Sequence, residues 1–187
     1  HIHLPVQSGS NRILKEMNRL HSREEYMALI DKIKAIVPDA SISQDMIAGF
    51  PTETEEDHLD TMRLMEYVKY NFGYMYSYSE RPGTLAGRKM KDDVEEETKA
   101  RRLQEIVDLQ QKHAWFRSEE FVGKTVEVLV EKVSKKSKDE FSGRNSQSIT
   151  VVFPKENYKI GDFVNVKITS CTSGTLKGEA VGYSDMN

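Results

Sequence analysis

The first part of the chain, to about residue 118, alternates short apolar runs with longer segments in which apolar residues recur every three or four positions. The short runs are typical of strands, and they lie at about residues 3–6, 40–44 and 72–79. The longer segments predict amphipathic helices, at about residues 11–17, 23–37 and 54–69. Strands that alternate with helices favour βαβ units and a parallel sheet.

Capping residues mark where these helices begin. Ser22 and Glu25 have the spacing of a capping box, and Pro38 ends the helix that follows them. Thr54 and Asp57 repeat the pattern at the next helix. A further long helix is predicted at about residues 94–118. Its face rich in Glu, Lys and Arg is expected to be solvated.

The pattern changes to a period of two after residue 120. Alternating segments predict four strands, at residues 125–131, 148–153, 163–168 and 175–181. Short strands without intervening helices are typical of a small antiparallel barrel of the oligonucleotide-binding kind. We therefore expect an α/β domain at residues 1–118 and a β-barrel domain at residues 119–187.

The ends of the three predicted parallel strands are the candidate ligand site. Right-handed crossovers bring such ends to one rim, here residues 7–8, 45–54 and 79–84. Gly49 lacks a Cβ, so a flat ligand can approach the backbone there, and Pro51 fixes one dihedral angle of the turn. The alternative is that residues 45–54 are an ordinary strand–turn–helix connection.

Composition narrows the classes of function. The 187 residues carry a formal net charge of −3, which is unlike the strongly basic body of a general nucleic-acid binder. No apolar run reaches the roughly 20 residues of a membrane span, so no membrane association is expected. The single cysteine, Cys171, fits a reducing cytoplasm and cannot by itself hold an iron–sulfur cluster. His1 and His3 lack a third metal ligand nearby. Because the chain does not begin with Met, we expect a piece of a longer protein.

Basic residues gather around the first hairpin of the predicted barrel. Lys135, Lys136, Arg144 and Asn145 lie there, with Phe141 among them. Cations for phosphate and a ring for base stacking are what RNA contact uses. The alternative is a solvated hairpin loop, which lysines favour in any soluble protein.

Three blocks, at residues 3–19, 43–57 and 78–84, closely resemble signatures of the radical S-adenosylmethionine (SAM) methylthiotransferases. The last domain is similar to the TRAM domain, an RNA-binding module. The resemblance implies the C-terminal half of a partial, TIM-like radical SAM barrel followed by the TRAM barrel. Three strands are too few to close the first barrel, so the missing N-terminal part is expected to supply the rest.

The resemblance also implies a substrate. Residues 134–154 are most similar to the branch that methylthiolates carbon 2 of N6-isopentenyladenosine beside the tRNA anticodon. Two other branches modify a ribosomal-protein aspartate or threonylcarbamoyl-adenosine in tRNA, and these stay as alternatives. A different class of alternative is a non-catalytic RNA-binding module.

The cofactors and partners follow from the same resemblance. They are S-adenosyl-L-methionine, two 4Fe-4S clusters in the full-length enzyme, the tRNA anticodon stem-loop, and a reducing protein such as flavodoxin or ferredoxin. The ligands of both clusters are absent from this chain, so we expect the isolated chain to be inactive and name no catalytic or metal-binding residue in it.

Site residues carry over by position. Gln7 and Ser8 would hydrogen-bond the ribose or methionine portion of the cofactor, or simply form a turn. Arg19 would face the methionine carboxylate, because a guanidinium fork suits a carboxylate, or would be a solvated cation at a helix end. Asp45 would accept from a ribose hydroxyl, since an acid within a buried strand needs a partner.

The remaining positions concern the adenine and the substrate. Ile47, Gly49 and Phe50 would shape the adenine slot, and Arg81 would contact substrate. Many radical SAM proteins carry Gly-x-Ile-x-Gly-x-x-Glu on this strand. Here Asp45 replaces the first Gly, and Glu53 follows Gly49 by four residues. For Glu53 we therefore expect helix capping.

Overall fold

The computed structural model describes residues 1–184, and the chain divides into two compact units between residues 111 and 112. The last three residues of the predicted second domain, 185–187, lie outside the described part. Within residues 1–184, no helix is both long and apolar enough to cross a membrane.

The first unit is built on a parallel sheet with strand order β1-β2-β3, as the alternating pattern predicts. Its elements in chain order are β1 (Ile2–His3), α1 (Asn11–Glu16), α2 (Arg23–Ile36), β2 (Ile42–Ala48), α3 (Glu55–Val68), β3 (Phe72–Ser77), α4 (Leu85–Lys89) and α5 (Glu96–Glu119). Helix α5 continues past the division between the units.

The predicted helix caps are confirmed. Ser22 and Glu25 form both hydrogen bonds of a capping box at α2, and Thr54 and Asp57 do the same at α3. The Ser10 hydroxyl caps α1 by accepting from the Ile13 amide. Each cap satisfies amides that have no partner inside the helix.

The core of the first unit lies between the sheet and its helices. It is formed by Met46 and Ala48 of β2, Tyr26 and Ile30 of α2, and the buried face of α3. Several apolar positions of the predicted helices 23–37 and 54–69 are nevertheless exposed, namely Leu29, Ile36, Val37 and Leu59. The 3.6-residue pattern marks an apolar stripe, but a three-stranded sheet covers only part of its width.

Helix α5 corrects one expectation about charge. The solvated face does not include Lys99 and Arg102, which are buried in the first unit. Both are ion-paired, Lys99 with Asp92 and Glu96, and Arg102 with Glu53 and Glu55. They share a face of α5 with the buried Ile106 and apolar neighbours. This face packs against the first unit, although its charged residues led the sequence pattern to predict a solvated face.

The second unit contains a closed barrel with strand order β4-β5-β6-β8-β7. Its strands are β4 (Thr125–Val133), β5 (Glu140–Asn145), β6 (Thr150–Pro154), β7 (Phe163–Cys171) and β8 (Thr175–Tyr183). The barrel is confirmed, but the sequence prediction missed β5, and the β6–β8 pair is parallel. Strand β5 was missed because the polar run Ser142-Gly143-Arg144 lacks the apolar alternation of a strand. A glycine is needed at position 143 because a Cβ there would collide with the backbone of β4.

Candidate functional site: a cavity at the ends of the parallel strands

A cavity of about 530 Å³ lies at the carboxyl ends of the three parallel strands. This is the edge at which α/β proteins bind ligands. The sequence predicts eight site residues in the first unit, seven for the cofactor and Arg81 for the substrate. Six of them line the cavity: Gln7, Arg19, Asp45, Ile47, Phe50 and Arg81. The three strand ends therefore lie together, as the sequence predicts. The ligand role of each residue stays a prediction.

Backbone pairing positions the first two strand ends. The Gln7 amide donates to the Asp45 carbonyl at 2.9 Å, and the Ile47 amide donates to the Gln7 carbonyl at 3.0 Å. Gln7 makes this bridge with a φ of 76°. Along β2 the residues alternate between faces, so Asp45 and Ile47 reach the cavity while Met46 enters the core.

The cavity combines both signs of charge. Asp45 supplies a partly exposed carboxylate, and the Nε2 atom of His3 lies 3.6 Å from its Oδ1. Arg19 and Arg81 add exposed guanidinium groups to the lining. A ligand that carries both an acid and hydroxyl or cationic groups finds complementary partners here.

Aromatic rings supply the apolar part of the lining. Phe50 is buried and meets Tyr78 edge-on, with 5.2 Å between ring centroids. Tyr76 lines the cavity from β3, and Tyr78 follows that strand. Burial, together with the nearby acids Asp92 and Glu80, raises the pKa of the Tyr78 hydroxyl.

The sequence reasoning missed these tyrosines as site residues. The signal was present, because Tyr74, Tyr76 and Tyr78 alternate along β3 and the residue that follows it, which places them on one side. Residues of the α1 end, such as Glu16 and Asn18, also line the cavity without having been singled out. Their place depends on how the chain turns after α1, which periodicity does not specify.

Ser8 and Gly49 do not line the cavity. Ser8 is buried, and its hydroxyl lies 3.3 Å from the Thr61 hydroxyl on α3. Gly49 has a φ of +74°, and a Cβ there would lie 2.3 Å from Cγ of Lys99. Gly49 is thus needed for the close approach of the Lys99 side chain, and its contact with a ligand stays a prediction.

The expectation that Glu53 caps a helix is wrong. Its carboxylate is buried, accepts from the Gly49 amide at 2.6 Å and pairs with Arg102. Burial raises the pKa of Glu53 despite these partners. The capping role belongs to Thr54 and Asp57 alone, because their side chains already occupy the first turn of α3.

A second buried carboxylate braces the same turn from the other side. Asp57 accepts from the Ser10 hydroxyl at 2.6 Å and is paired with Arg12. Arg12 also donates to the Thr52 carbonyl at 2.6 Å. Burial alone would raise the Asp57 pKa, but the hydrogen bonds from Arg12, Ser10 and Thr54 outweigh it and lower that pKa well below its usual range.

In the barrel, two of the residues proposed for RNA contact are structural. Phe141 is buried against Phe153 and is not available for base stacking. Asn145 is buried, and its Oδ1 accepts from the amides of Gln147 and Ile149. Both corrections have the same cause, because the two residues belong to β5, the strand that the sequence prediction missed, and are buried there.

The cations proposed for RNA contact remain exposed. Lys135 and Lys136 lie between β4 and β5, and the Arg144 side chain is 57% exposed on β5. Glu131 lies 3.8 Å from the Arg144 Nε atom. Within residues 1–184, no group of three or more His, Cys, Asp or Glu side chains is placed to hold a metal ion.

Two family models match the chain. Residues 1–65 match the radical SAM superfamily, and residues 119–181 match the TRAM domain. Among solved structures, the radical SAM enzyme coproporphyrinogen III oxidase from Escherichia coli resembles the chain with a TM-score of 0.52. At 17% identity over 76% of this chain and 40% of that one, the likeness concerns the fold.

Curated relatives are much more similar. The chain is 97% identical over its whole length to the tRNA-2-methylthio-N(6)-dimethylallyladenosine synthase of Flavobacterium johnsoniae, and 89% identical to that of Flavobacterium psychrophilum. The Bacteroides fragilis synthase is 52% identical over 97% of the chain. The chain spans 39–40% of the length of these relatives. The chain thus joins a segment that matches the radical SAM superfamily to a TRAM domain, and over its length it is similar to proteins named tRNA-2-methylthio-N(6)-dimethylallyladenosine synthase.

Proposed function

We propose that this chain is the part of a tRNA-2-methylthio-N6-dimethylallyladenosine synthase that forms one wall of the S-adenosylmethionine site and carries the RNA-binding TRAM domain. The observation that carries the proposal is the cavity at the carboxyl ends of the parallel strands. It occurs in a chain 97% identical to a protein named as this synthase. The substrate is then isopentenyladenosine next to the tRNA anticodon.

The cavity residues fit an adenosine cofactor with an amino-acid tail. The Asp45 carboxylate can accept hydrogen bonds from ribose hydroxyls, and the Arg19 guanidinium can donate to a carboxylate. Phe50, Tyr76 and Ile47 offer the apolar surface that a base needs. Gln7 can orient the sugar or tail through its amide. Ser8 and Gly49 would stabilise the segments that carry these residues, Ser8 through Thr61 and Gly49 through its packing against Lys99.

When bound, S-adenosylmethionine and the two 4Fe-4S clusters supply the methyl group and the radical chemistry of this enzyme class. This chain's residues orient the cofactor and limit access of water. Electrons would come from a flavodoxin- or ferredoxin-like protein, and the reaction would take place in the cytoplasm. Arg81, on the cavity rim, would contact the substrate nucleotide.

The second unit would hold the tRNA. Lys135, Lys136 and Arg144 are exposed cations that can contact phosphates. Because the whole chain has a net charge of −3, the TRAM domain would contribute a local patch and orientation more than bulk electrostatic attraction.

The test uses the full-length enzyme with Asp45→Asn. Loss of the ribose-binding carboxylate should weaken S-adenosylmethionine binding by about tenfold, the value of one charge-assisted hydrogen bond. Isothermal titration measures the binding, and mass spectrometry of tRNA nucleosides measures the 2-methylthio product.

Asp39→Asn is the matched control, because Asp39 is an exposed carboxylate that does not line the cavity. Unchanged affinity in Asp45→Asn, or a wild-type enzyme that forms no 2-methylthio-N6-isopentenyladenosine, would contradict the proposal.

A further inference from the structure

The turn between β2 and α3, residues 49–54, is held in an unfavourable backbone shape. Gly49 has a φ of +74° and Thr52 a φ of +69°. A β-branched residue such as Thr52 seldom adopts this region, and such conformations persist only where surrounding contacts enforce them. The turn delivers Phe50 to the cavity, so whatever enforces its shape also sets the cavity wall.

Most of the enforcing contacts come from helix α5 and the residues just before it. Arg102 donates to the Glu53 carbonyl at 2.9 Å and to its carboxylate at 3.1 Å. That carboxylate in turn accepts from the Gly49 amide at 2.6 Å. The Thr52 amide donates to Asp93 at 2.7 Å.

The contact between Arg102 and Glu53 is buried, so its loss would be costly. The side chains of Arg102 and Glu53 are only 6% and 2% exposed. Removing one partner of a buried ion pair leaves the other charge buried and uncompensated. Arg102 is therefore the member of α5 whose loss would disturb the turn most.

Lys99 covers the turn sterically. Its side chain is 1% exposed and packs so closely on Gly49 that a Cβ there would collide with it. Its Nζ atom donates to Asp92 and Glu96, each at 2.6 Å. The same Nζ lies 5.8 Å from the centre of the Tyr78 ring, the ring that meets Phe50.

We propose that Lys99 and Arg102 are positioning residues that lock the 49–54 turn onto helix α5 and so hold Phe50 in the cavity wall. Both lie outside the segment that matches the radical SAM superfamily. The clamp itself stands on the contacts of this chain, and its effect on cofactor affinity rests on the proposed function.

Hydrogen exchange of the turn tests the clamp without any cofactor. In the full-length enzyme, Arg102→Met should accelerate exchange of the Gly49 amide by at least about tenfold, because its acceptor Glu53 loses its partner. Arg101→Met is the matched control. Arg101 is on the same helix and pairs with Glu55 and Glu105 but is 45% exposed and does not contact Glu53. It should leave this exchange unchanged.

A second pair of variants separates steric cover from charge. Lys99→Ala removes the stem from Gly49 and should also accelerate exchange in the turn. Lys99→Met keeps a stem of similar length and should leave exchange near the wild-type rate. If Arg102→Met does not fold, this pair still decides the question.

Cofactor affinity provides the functional readout. Arg102→Met and Lys99→Ala should weaken S-adenosylmethionine binding by about tenfold in isothermal titration, while Arg101→Met and Lys99→Met stay within about twofold. If the first two variants lower thermal stability but leave both exchange and affinity at wild-type values, the positioning role is overturned. If the wild-type enzyme does not bind the cofactor, the proposed function fails, and the exchange measurement still tests the clamp.

Discussion

The parallel sheet and the closed barrel place their polar residues in opposite ways. In the sheet unit, strand direction gathers polar side chains at one edge, where Gln7, Asp45 and Arg81 share a cavity. In the barrel every strand has two neighbours, the interior is apolar, and polar groups are spread over the outside. In this chain the parallel arrangement therefore builds a concave site from separate segments, while the small, filled barrel leaves recognition to exposed side chains.

The difference also shows in how charge is used. The sheet unit buries Glu53, Asp57, Lys99 and Arg102, all of them paired around the turn that borders the cavity. The described buried polar residues of the barrel strands are uncharged, as at Ser142 and Asn145. The sheet unit should therefore respond to charge-removing substitutions, and the barrel to loss of apolar volume.

The largest effect is expected in the barrel core. Phe153→Ala should lower the free energy of unfolding by about 3–5 kcal/mol, because Phe153 is fully buried and packs on Phe141. Denaturant unfolding with hydrogen exchange of barrel peptides measures it. Val181→Ala is the control, since Val181 is exposed. Comparable losses in both variants would contradict an apolar interior as the source of barrel stability.

Asp57→Asn tests the buried charge of the sheet unit. It removes the carboxylate that caps α3 and pairs with Arg12, so we expect a loss of about 2–3 kcal/mol. Glu56→Gln, in an exposed pair with Arg63, should change stability by less than about 0.5 kcal/mol. Equal effects of the two substitutions in denaturant unfolding would show that burial does not matter here.

The pH dependence of unfolding sharpens the same point. The Asp57 pKa is lower in the folded protein than the 3.8 of an unfolded aspartate. Its contribution is therefore fully present above pH 3.8 and is lost as the pH falls below that value. The raised pKa of Glu53 acts in the opposite sense, since its contribution is lost as the pH rises through the folded pKa. Asp57→Asn should flatten the acid limb of the stability curve, and an unchanged limb would argue against the pairing.

Asn145→Ala separates a structural role from RNA contact. Loss of the two amide hydrogen bonds should cost about 1–2 kcal/mol of stability. Affinity of the folded enzyme for tRNA should stay at the wild-type value, because the side chain is buried. A weakened complex with unchanged stability would restore Asn145 as an RNA contact.

The smallest effects on stability belong to the exposed cations. Lys135→Ala and Arg144→Ala should each change unfolding by less than about 0.5 kcal/mol. Each should weaken tRNA binding a few-fold and reduce the salt dependence of the affinity by about one ion. Binding titrations at several salt concentrations measure both quantities. Glu131→Gln, which removes the negative charge beside Arg144, is a control expected to strengthen binding slightly.

Much of the site was readable from the sequence because it depends on chain order. Helix caps, strand alternation and right-handed crossovers placed Gln7, Asp45 and Phe50 at one rim. Glu53, Lys99 and Arg102 were misread because a charged residue gives no signal of its burial until its partner is known. Lys99 and Arg102 do fall in phase with Ile106 on α5, which is the pattern that could have revealed them.

The sequence by itself determined the α/β unit, the barrel, the helix caps and the family resemblance, because these follow from local periodicity and from motifs. Only the tertiary structure decided which polar side chains are buried. It buried Asn145, together with the ring of Phe141, in the barrel unit, and it buried Lys99 and Arg102 against the turn beside the cavity. The physical reason is that burial and ion pairing join residues distant in sequence, as Glu53 and Arg102 are, and local pattern carries no record of such partners.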